Sequence, residues 1–286
     1  MSEGEGKTAI LMDSGGDLPY ELCRREGIEF LPLHVIYPEG DYLDGIDIDP
    51  AMIYRRFPGE IPSTSTPSPQ EILDKLAELR DRGLKNVIAV TISGALSSTG
   101  NTIAAAARQL PELNVSVFDT KNISFGSGIF ALWAARKLAE GMGYRELLEK
   151  LRAKIGDSRQ FFYMDTLKYL RHGGRIGRVA AFVGEALHLK PIISCDPDGV
   201  YYTVAKIRGA RMGKKRLIDE VKQAVGSRKC WVIVGHGAAE EEAGRLETML
   251  REELSNMEFL FTKQITATLA NNTGPGLLGI MAFVDP

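Results

Sequence analysis

The chain has 286 residues, with 35 Lys plus Arg set against 37 Asp plus Glu for a formal net charge of -2. That length suits two domains, each large enough to bury its own core, and the near-neutral charge supplies no global field to gather nucleic acid or an anionic membrane. The three cysteines, Cys23, Cys195 and Cys230, are far apart and lack a C-x-x-C pair, which argues against a disulfide framework or zinc site and suits a reducing cytoplasm.

Met1 to Lys7 is acidic and glycine-rich rather than basic and then apolar, and no apolar run reaches bilayer-spanning length. Neither secretion nor membrane insertion is expected; transient contact with a membrane surface is left open. Short apolar runs rich in β-branched residues predict strands at Thr8 to Met12, Phe30 to Tyr37, Asn86 to Thr91 and Val115 to Phe118. Between them, Pro69 to Arg82 is predicted helical: Ser68 is a good N-cap, Pro69 fits the first helical position, Glu71 completes a capping box and Gly83 ends it. Further strands are predicted at Gln160 to Met164, Pro191 to Ser194, Tyr201 to Lys206, Trp231 to Val234 and Phe259 to Lys263. Asp198-Gly199 marks an antiparallel hairpin. Val179 to Leu189 reads as a helix apolar on most faces, and Ile280 to Val284 as a last strand able to pair in either half.

The expected fold is therefore α/β: two α/β lobes, the first with a mostly parallel sheet and the second with a mixed one. Residues 1–156 form the N-terminal domain with the hydroxyl-rich loops, and 157–286 the C-terminal domain, with an approximate boundary.

Two hydroxyl-rich segments carry the chemistry: Ser63-Thr64-Ser65-Thr66-Pro67-Ser68, and Thr91-Ile92-Ser93-Gly94-Ala95-Leu96-Ser97-Ser98-Thr99. The second leaves the carboxyl end of a strand and enters a helix, the place where open α/β sheets bind ligands and helix N-termini favour anions. Taken singly, each Ser or Thr is adequately explained as a cap or turn residue. Neither segment holds a lysine, arginine, histidine or carboxylate, so a serine there has no local base, and G-x-S-x-G, Walker A and H-E-x-x-H patterns are missing. Hydroxyls and backbone amides suit a carboxylate that is bound rather than attacked. The rival reading is an enzyme of acyl or phosphoryl transfer, with Ser93 or Ser97 as nucleophile and His236 as base.

Other segments have ordinary explanations. Asp13 and Asp17 fit a strand-end turn, with Asp17 as helix cap, better than a metal site. Arg175 follows the paired glycines 173 and 174 and suits an anion, a partner or a neighbouring acid. Lys206, Arg208, Arg211, Lys214, Lys215 and Arg216 place six cations in eleven residues, a solvated helix face or a docking patch.

Read together, these motifs resemble the DegV family of bacterial fatty-acid-binding proteins along essentially the whole chain. The resemblance rests on Asp13-Ser14 with Asp17-Leu18, the Ser63 to Ser68 loop, and Ile92-Ser93 with Leu96-Ser97 and Thr99. It continues through Asp119 with Ser124, Gly126 and Gly128, Tyr169-Leu170 with Gly173-Gly174-Arg175-Ile176, and Lys190-Pro191-Ile192-Ile193 with Asp198-Gly199. It closes on Gly274-Pro275-Gly276.

The resemblance implies a non-enzymatic carrier of one long-chain fatty acid, with no cofactor and no metal, the ligand lying between the lobes. Thr64, Ser93 and Ser97, the Gly94 and Ala95 amides and Asn272 are its implied carboxylate contacts; Ile176, Phe182 and Ala186 are candidates for an apolar tunnel. Family members of the fatty acid kinase type present the acid to a kinase subunit that phosphorylates it from ATP, and Arg175, Arg208 and Arg211 are the candidate docking residues. The chain departs from the family where many relatives carry histidine: Asn272 can donate a hydrogen bond but carries no charge.

Overall fold

The structure, a computed structural model, describes residues 6–184, 189–208 and 210–286, apart from the side chains at 181–184, 210 and 211. It divides into two compact units. One contains the residues up to Asp47 together with Thr64–Gly156, and the other Ile48–Ser63 together with Asp157–Pro286.

In chain order the first unit runs β1 (Thr8–Asp13), a 3-10 turn (Ser14–Gly16), α1 (Tyr20–Glu26), β2 (Ile28–Leu31), β3 (His34–Tyr37) and β4 (Gly40–Leu43). Helix α2 (Pro50–Arg56) belongs to the second unit, and β5 (Ser63–Ser65) carries the chain back. There follow α3 (Pro69–Asp81), β6 (Asn86–Thr91), α4 (Thr99–Ala107), β7 (Asn114–Asp119), α5 (Phe125–Ala139) and α6 (Tyr144–Ala153).

Its main sheet has the order β2-β1-β6-β7 and is parallel throughout. Every residue of β6 is buried, as expected of a central strand covered on both faces. One face packs Ile72, Leu76 and Leu79 of α3 with Ile103 and Ala106 of α4 against Ala9, Leu11, Val87 and Ala89. Each such buried aliphatic side chain contributes roughly 1.5–3 kcal/mol. The long apolar α5 also packs on β1 and β6. The capping box of α3 forms as read: Ser68 Oγ accepts the Glu71 amide and Glu71 Oε2 accepts the Ser68 amide.

The single strand expected over Phe30 to Tyr37 is instead two. Pro32 has no amide to donate, and the break sends β2 into the parallel sheet and β3 into a separate sheet of order β4-β3-β5. The segment 48–63, expected inside a continuous N-terminal domain, lies with the second unit for local reasons. Helix α2 packs on a later helix of that unit, Phe57 stacks on Tyr169 with centroids 4.4 Å apart, and the Asn271 side-chain amide donates to the Pro62 carbonyl at 2.9 Å.

The second unit continues with β8 (Ser158–Tyr163), α7 (Lys168–His172), a 3-10 helix (Gly177–Gly184), β9 (Lys190–Cys195), β10 (Tyr201–Ile207) and α8 (Ala210–Val225). It ends with β11 (Cys230–Gly237), α9 (Glu240–Glu253), β12 (Met257–Gln264), α10 (Ala267–Thr273) and β13 (Leu277–Val284). The sheet order is β10-β9-β8-β13-β11-β12, antiparallel except for β11 with β12, so it is mixed. The Asp198-Gly199 hairpin joins β9 to β10, with Gly199 at φ 80°.

The last strand, free by sequence to pair in either half, runs between β8 and β11 and is buried along its whole length. Leu217, Ile218 and Val221 of α8 and Leu246 and Leu250 of α9 cover one face over Val232, Val234, Ile280 and Ala282. The apolar helix expected over Val179 to Leu189 begins as 3-10 rather than α: the Val179 amide donates back to Ile176, after Gly177 has turned the chain at φ 55°. Val179 is buried and Ala180 exposed; residues 185–188 lie outside the described residues.

Candidate functional site

The order β2-β1-β6-β7 puts a topological switch point between β1 and β6, because the chain leaves β1 toward one edge and β6 toward the other. The carboxyl ends of these strands present Asp13 to Asp17 after β1, Ile92 to Ser97 after β6 and Asp119 after β7.

The β6 loop is held from both sides by carboxylates. Asp13 Oδ2 accepts the Ile92 amide at 3.1 Å, and Asp119 Oδ2 accepts the Gly94 amide at 3.2 Å. Asp119 is itself fixed by the Lys121 amide and ammonium group, at 2.9 and 2.7 Å. Ser93 is fully buried; its amide donates to the Asn122 carbonyl at 2.7 Å and its Oγ accepts the Ala95 amide at 3.1 Å. Among the described residues no acceptor is placed for the Ser93 hydroxyl proton. Ser97 Oγ lies 2.9 Å from Thr99 Oγ1, at the first residue of α4.

Around β1, Ser14 Oγ donates to Asp44 Oδ2 at 2.7 Å and accepts the Leu33 amide at 3.0 Å. Asp17 takes the Ser124 hydroxyl at 2.5 Å instead of capping α1, whose N-cap is Pro19. The expected capping role is therefore corrected: Asp17 ties the β1 turn to the start of α5. Burial pushes the Asp13 carboxyl up to about 7, against the opposing pull of the Ile92 and Gly15 amides and with a further upward push from Asp44.

Of the residues expected to hold a carboxylate, Ser93, Gly94, Ala95 and Ser97 thus share one loop, but the Gly94 amide already donates to Asp119 and the Ala95 amide to Ser93 Oγ. Thr64 is half-buried on β5, in the other sheet of the same unit. Asn272 lies in the second unit on α10, where its amide donates to the Thr268 carbonyl at 2.8 Å and its buried Oδ1 has no hydrogen-bond partner among the described residues. That oxygen lies against Gly173, where any Cβ would overlap it, and a Cβ at Gly274 would likewise overlap the Tyr169 ring. The Gly173-Gly174-Arg175 and Gly274-Pro275-Gly276 motifs, read separately in the sequence, therefore pack together around α7 and α10.

Ile176 is half-buried, while the Phe182 side chain and Ala186 lie outside the described residues. Arg175 is exposed, with its guanidinium donating to the Gly173 carbonyl at 2.6 Å. Arg208 is exposed; the Arg211 side chain is outside the described set. Lys214 pairs with Glu242 and Arg216 with Glu220, so acids of the same unit neutralise part of the basic run. His236, the base of the rival reading, sits on β11 with Nδ1 accepting the Ala239 amide at 3.4 Å, and burial holds its pKa down. No base contacts Ser93 or Ser97 among the described residues.

Sequence reasoning passed over Asp119 as a loop clamp and treated Asp13 as a turn residue. The available signal was an acid at the carboxyl end of two neighbouring buried strands. A cavity of about 450 Å³ lies at the amino ends of β11 and β12, lined in part by Lys229, Trp231, Glu258 and Asp285. That is the end of parallel strands opposite to where such sheets place ligands. Among the described residues no cluster of three or more potential ligands is placed to hold a metal, and no helix is long and apolar enough to cross a membrane.

A family profile described as "Uncharacterised protein, DegV family" matches residues 7–285. The chain belongs to the DegV family. A DegV domain-containing protein of Clostridium acetobutylicum is 33% identical over 277 residues, covering 97% of this chain and 99% of the relative. Three solved DegV-like folds agree over nearly the full length. A fatty-acid-binding DegV family protein from Thermus thermophilus has a TM-score of 0.92 at 28% identity, covering 97% of this chain and 99% of its own. DegV of Bacillus subtilis, a fatty acid binding protein, has a TM-score of 0.90 at 27% identity, with 98% and 100% covered. A stearic-acid-binding protein of Eubacterium ventriosum has a TM-score of 0.87 at 27% identity, with 97% and 98% covered.

Proposed function

We propose that this DegV protein binds one long-chain fatty acid, its carboxylate held by hydroxyl groups at the carboxyl end of the parallel sheet and its acyl chain enclosed in an apolar tunnel. The observation that carries the reading is full-length similarity to solved DegV proteins described as fatty acid binding, at TM-scores up to 0.92. The local chemistry supports it. Ser93 already accepts the Ala95 amide, which leaves its O–H to donate to an anion. Among the described residues neither Ser93 nor Ser97 has a base beside it, which supports an anion that is bound rather than attacked.

Burial of the chain dominates the energetics. About fourteen methylenes at roughly 0.8 kcal/mol each give on the order of 10 kcal/mol before the costs of association. The hydroxyl contacts then orient the acid more than they attract it. The reading needs neither metal nor cofactor. It extends to presentation of the carboxyl group to a kinase subunit, with Arg175, Arg208 and Arg211 as docking candidates.

The test is a titration of delipidated protein with a fluorescent sixteen-carbon acid, followed by displacement with palmitate. Saturable binding at one site per chain, competed by palmitate, is expected. An absence of saturable binding overturns the reading.

A further inference from the structure

Asp13 is 1% exposed at the end of β1, and its two oxygens differ. Oδ2 takes the Ile92 amide, one residue before Ser93, whereas Oδ1 is buried beside Gly15 and, although the Gly15 amide pulls on the carboxyl, makes no hydrogen bond of ordinary geometry among the described residues. Among the described residues no cation acts on the carboxylate, and α5, which packs on β1 and on the turn after it, carries no charged residue before Arg136. In register with Asp13, β2 offers Leu31; β6 offers the neutral Thr91 and Ile92; the turn after β1 offers Ser14 and Asp17; the segment after β4 offers Asp44. The charged group that acts on it is thus another carboxyl, Asp44, while Lys121 pairs with Asp119, the other clamp of the loop.

We propose that Asp13 is a positioning residue for the head-group loop and that binding of a carboxylate at Ser93 is coupled to binding of a proton at Asp13. The inference rests on the fatty-acid reading given above. Oδ2 must keep the Ile92 amide to hold Ser93 in place, so the proton belongs on Oδ1, the oxygen that makes no hydrogen bond of ordinary geometry among the described residues. A second anion arriving at Ser93 adds a like charge in a desolvated region and makes ionised Asp13 still less favourable. By reciprocity, protonated Asp13 then favours the bound acid. Burial already lifts this carboxyl to about 7, so the coupling falls in the neutral range. Asp119, the other clamp of the loop, has its own ammonium partner and takes no part in the proton step.

The experiment measures palmitate affinity of the delipidated chain between pH 6 and 9 for the wild type and for Asp13→Asn, which keeps an acceptor for the Ile92 amide. The same acid is used for both, so its own titration cancels. Wild-type affinity is expected to fall by up to roughly 10-fold per pH unit above pH 7, with a flat profile in the variant. Identical slopes in the two proteins overturn the proposal. Should Asp13→Asn fail to fold, calorimetry of the wild type in two buffers of different ionisation enthalpy decides: proton uptake on binding supports the coupling, and none overturns it. No palmitate binding at any pH would instead sink the fatty-acid reading, an outcome distinct from binding that ignores pH.

Discussion

Gly128 on α5 faces Gly16 in the turn after β1 so closely that a Cβ at position 128 would overlap the Gly16 carbonyl oxygen. The start of α5 is thereby seated on the segment that carries Asp13 and Asp17, and the Ser124 to Asp17 hydrogen bond fixes the same contact one turn earlier. Gly128→Ala should force α5 away from this turn and lower stability by about 1–3 kcal/mol. Thermal unfolding followed by circular dichroism checks it; an unchanged Tm would show that the turn yields without cost.

Removing donors without removing packing tests the head-group contacts. Thr64→Val and Ser93→Ala are each expected to leave the fold intact and to weaken acid retention by roughly 1.5–3 kcal/mol, the range for a hydrogen bond to a charged partner. Displacement titrations measure this directly. Full retention by the double variant would remove both residues from the site.

The Ser68–Glu71 capping box anchors the helix that follows the first hydroxyl loop, and Glu71 also lies 3.3 Å from His34 Nε2. Ser68→Ala should cost roughly 0.5–2 kcal/mol of stability through the lost cap. Urea unfolding gives the value, and a loss near zero would mean the His34 contact holds the helix start alone.

His236 is depressed mainly by burial, with Glu240 opposing and Lys263 reinforcing the shift. A histidine whose folded pKa lies below its unfolded value is neutral in both states above about 6.5, so its stability contribution is intact there. As pH falls below that value the unfolded chain takes the proton first, and stability is lost. The wild type should therefore unfold more easily as pH drops from 7 toward 5, with a shallower decline in His236→Gln. Parallel pH profiles of the two proteins would contradict this.

Local signals made parts of the fold legible. The run Asn86 to Thr91 is a strand over that whole span, because a β-branched apolar stretch bounded by polar residues has few other solutions, and the capping box located the start of α3. What escaped was long-range. Pro32 in an otherwise continuous apolar run divides two sheets, and Asn271, Phe57 and α2 draw residues 48–63 into the second unit through partners more than one hundred positions away. The hydroxyl loops stood out by composition. The carboxylates that clamp one of them did not, since Asp13 and Asp119 look like ordinary strand-end acids until parallel pairing brings β1, β6 and β7 side by side.

The most direct measurement is mass spectrometry of the lipid extracted from purified, denatured protein, repeated after incubation of the delipidated chain with palmitate or oleate. One long-chain fatty acid per chain, with reduced recovery from the Thr64→Val and Ser93→Ala double variant, is the predicted result. An extract without fatty acid, together with no uptake of either added acid, would contradict the account.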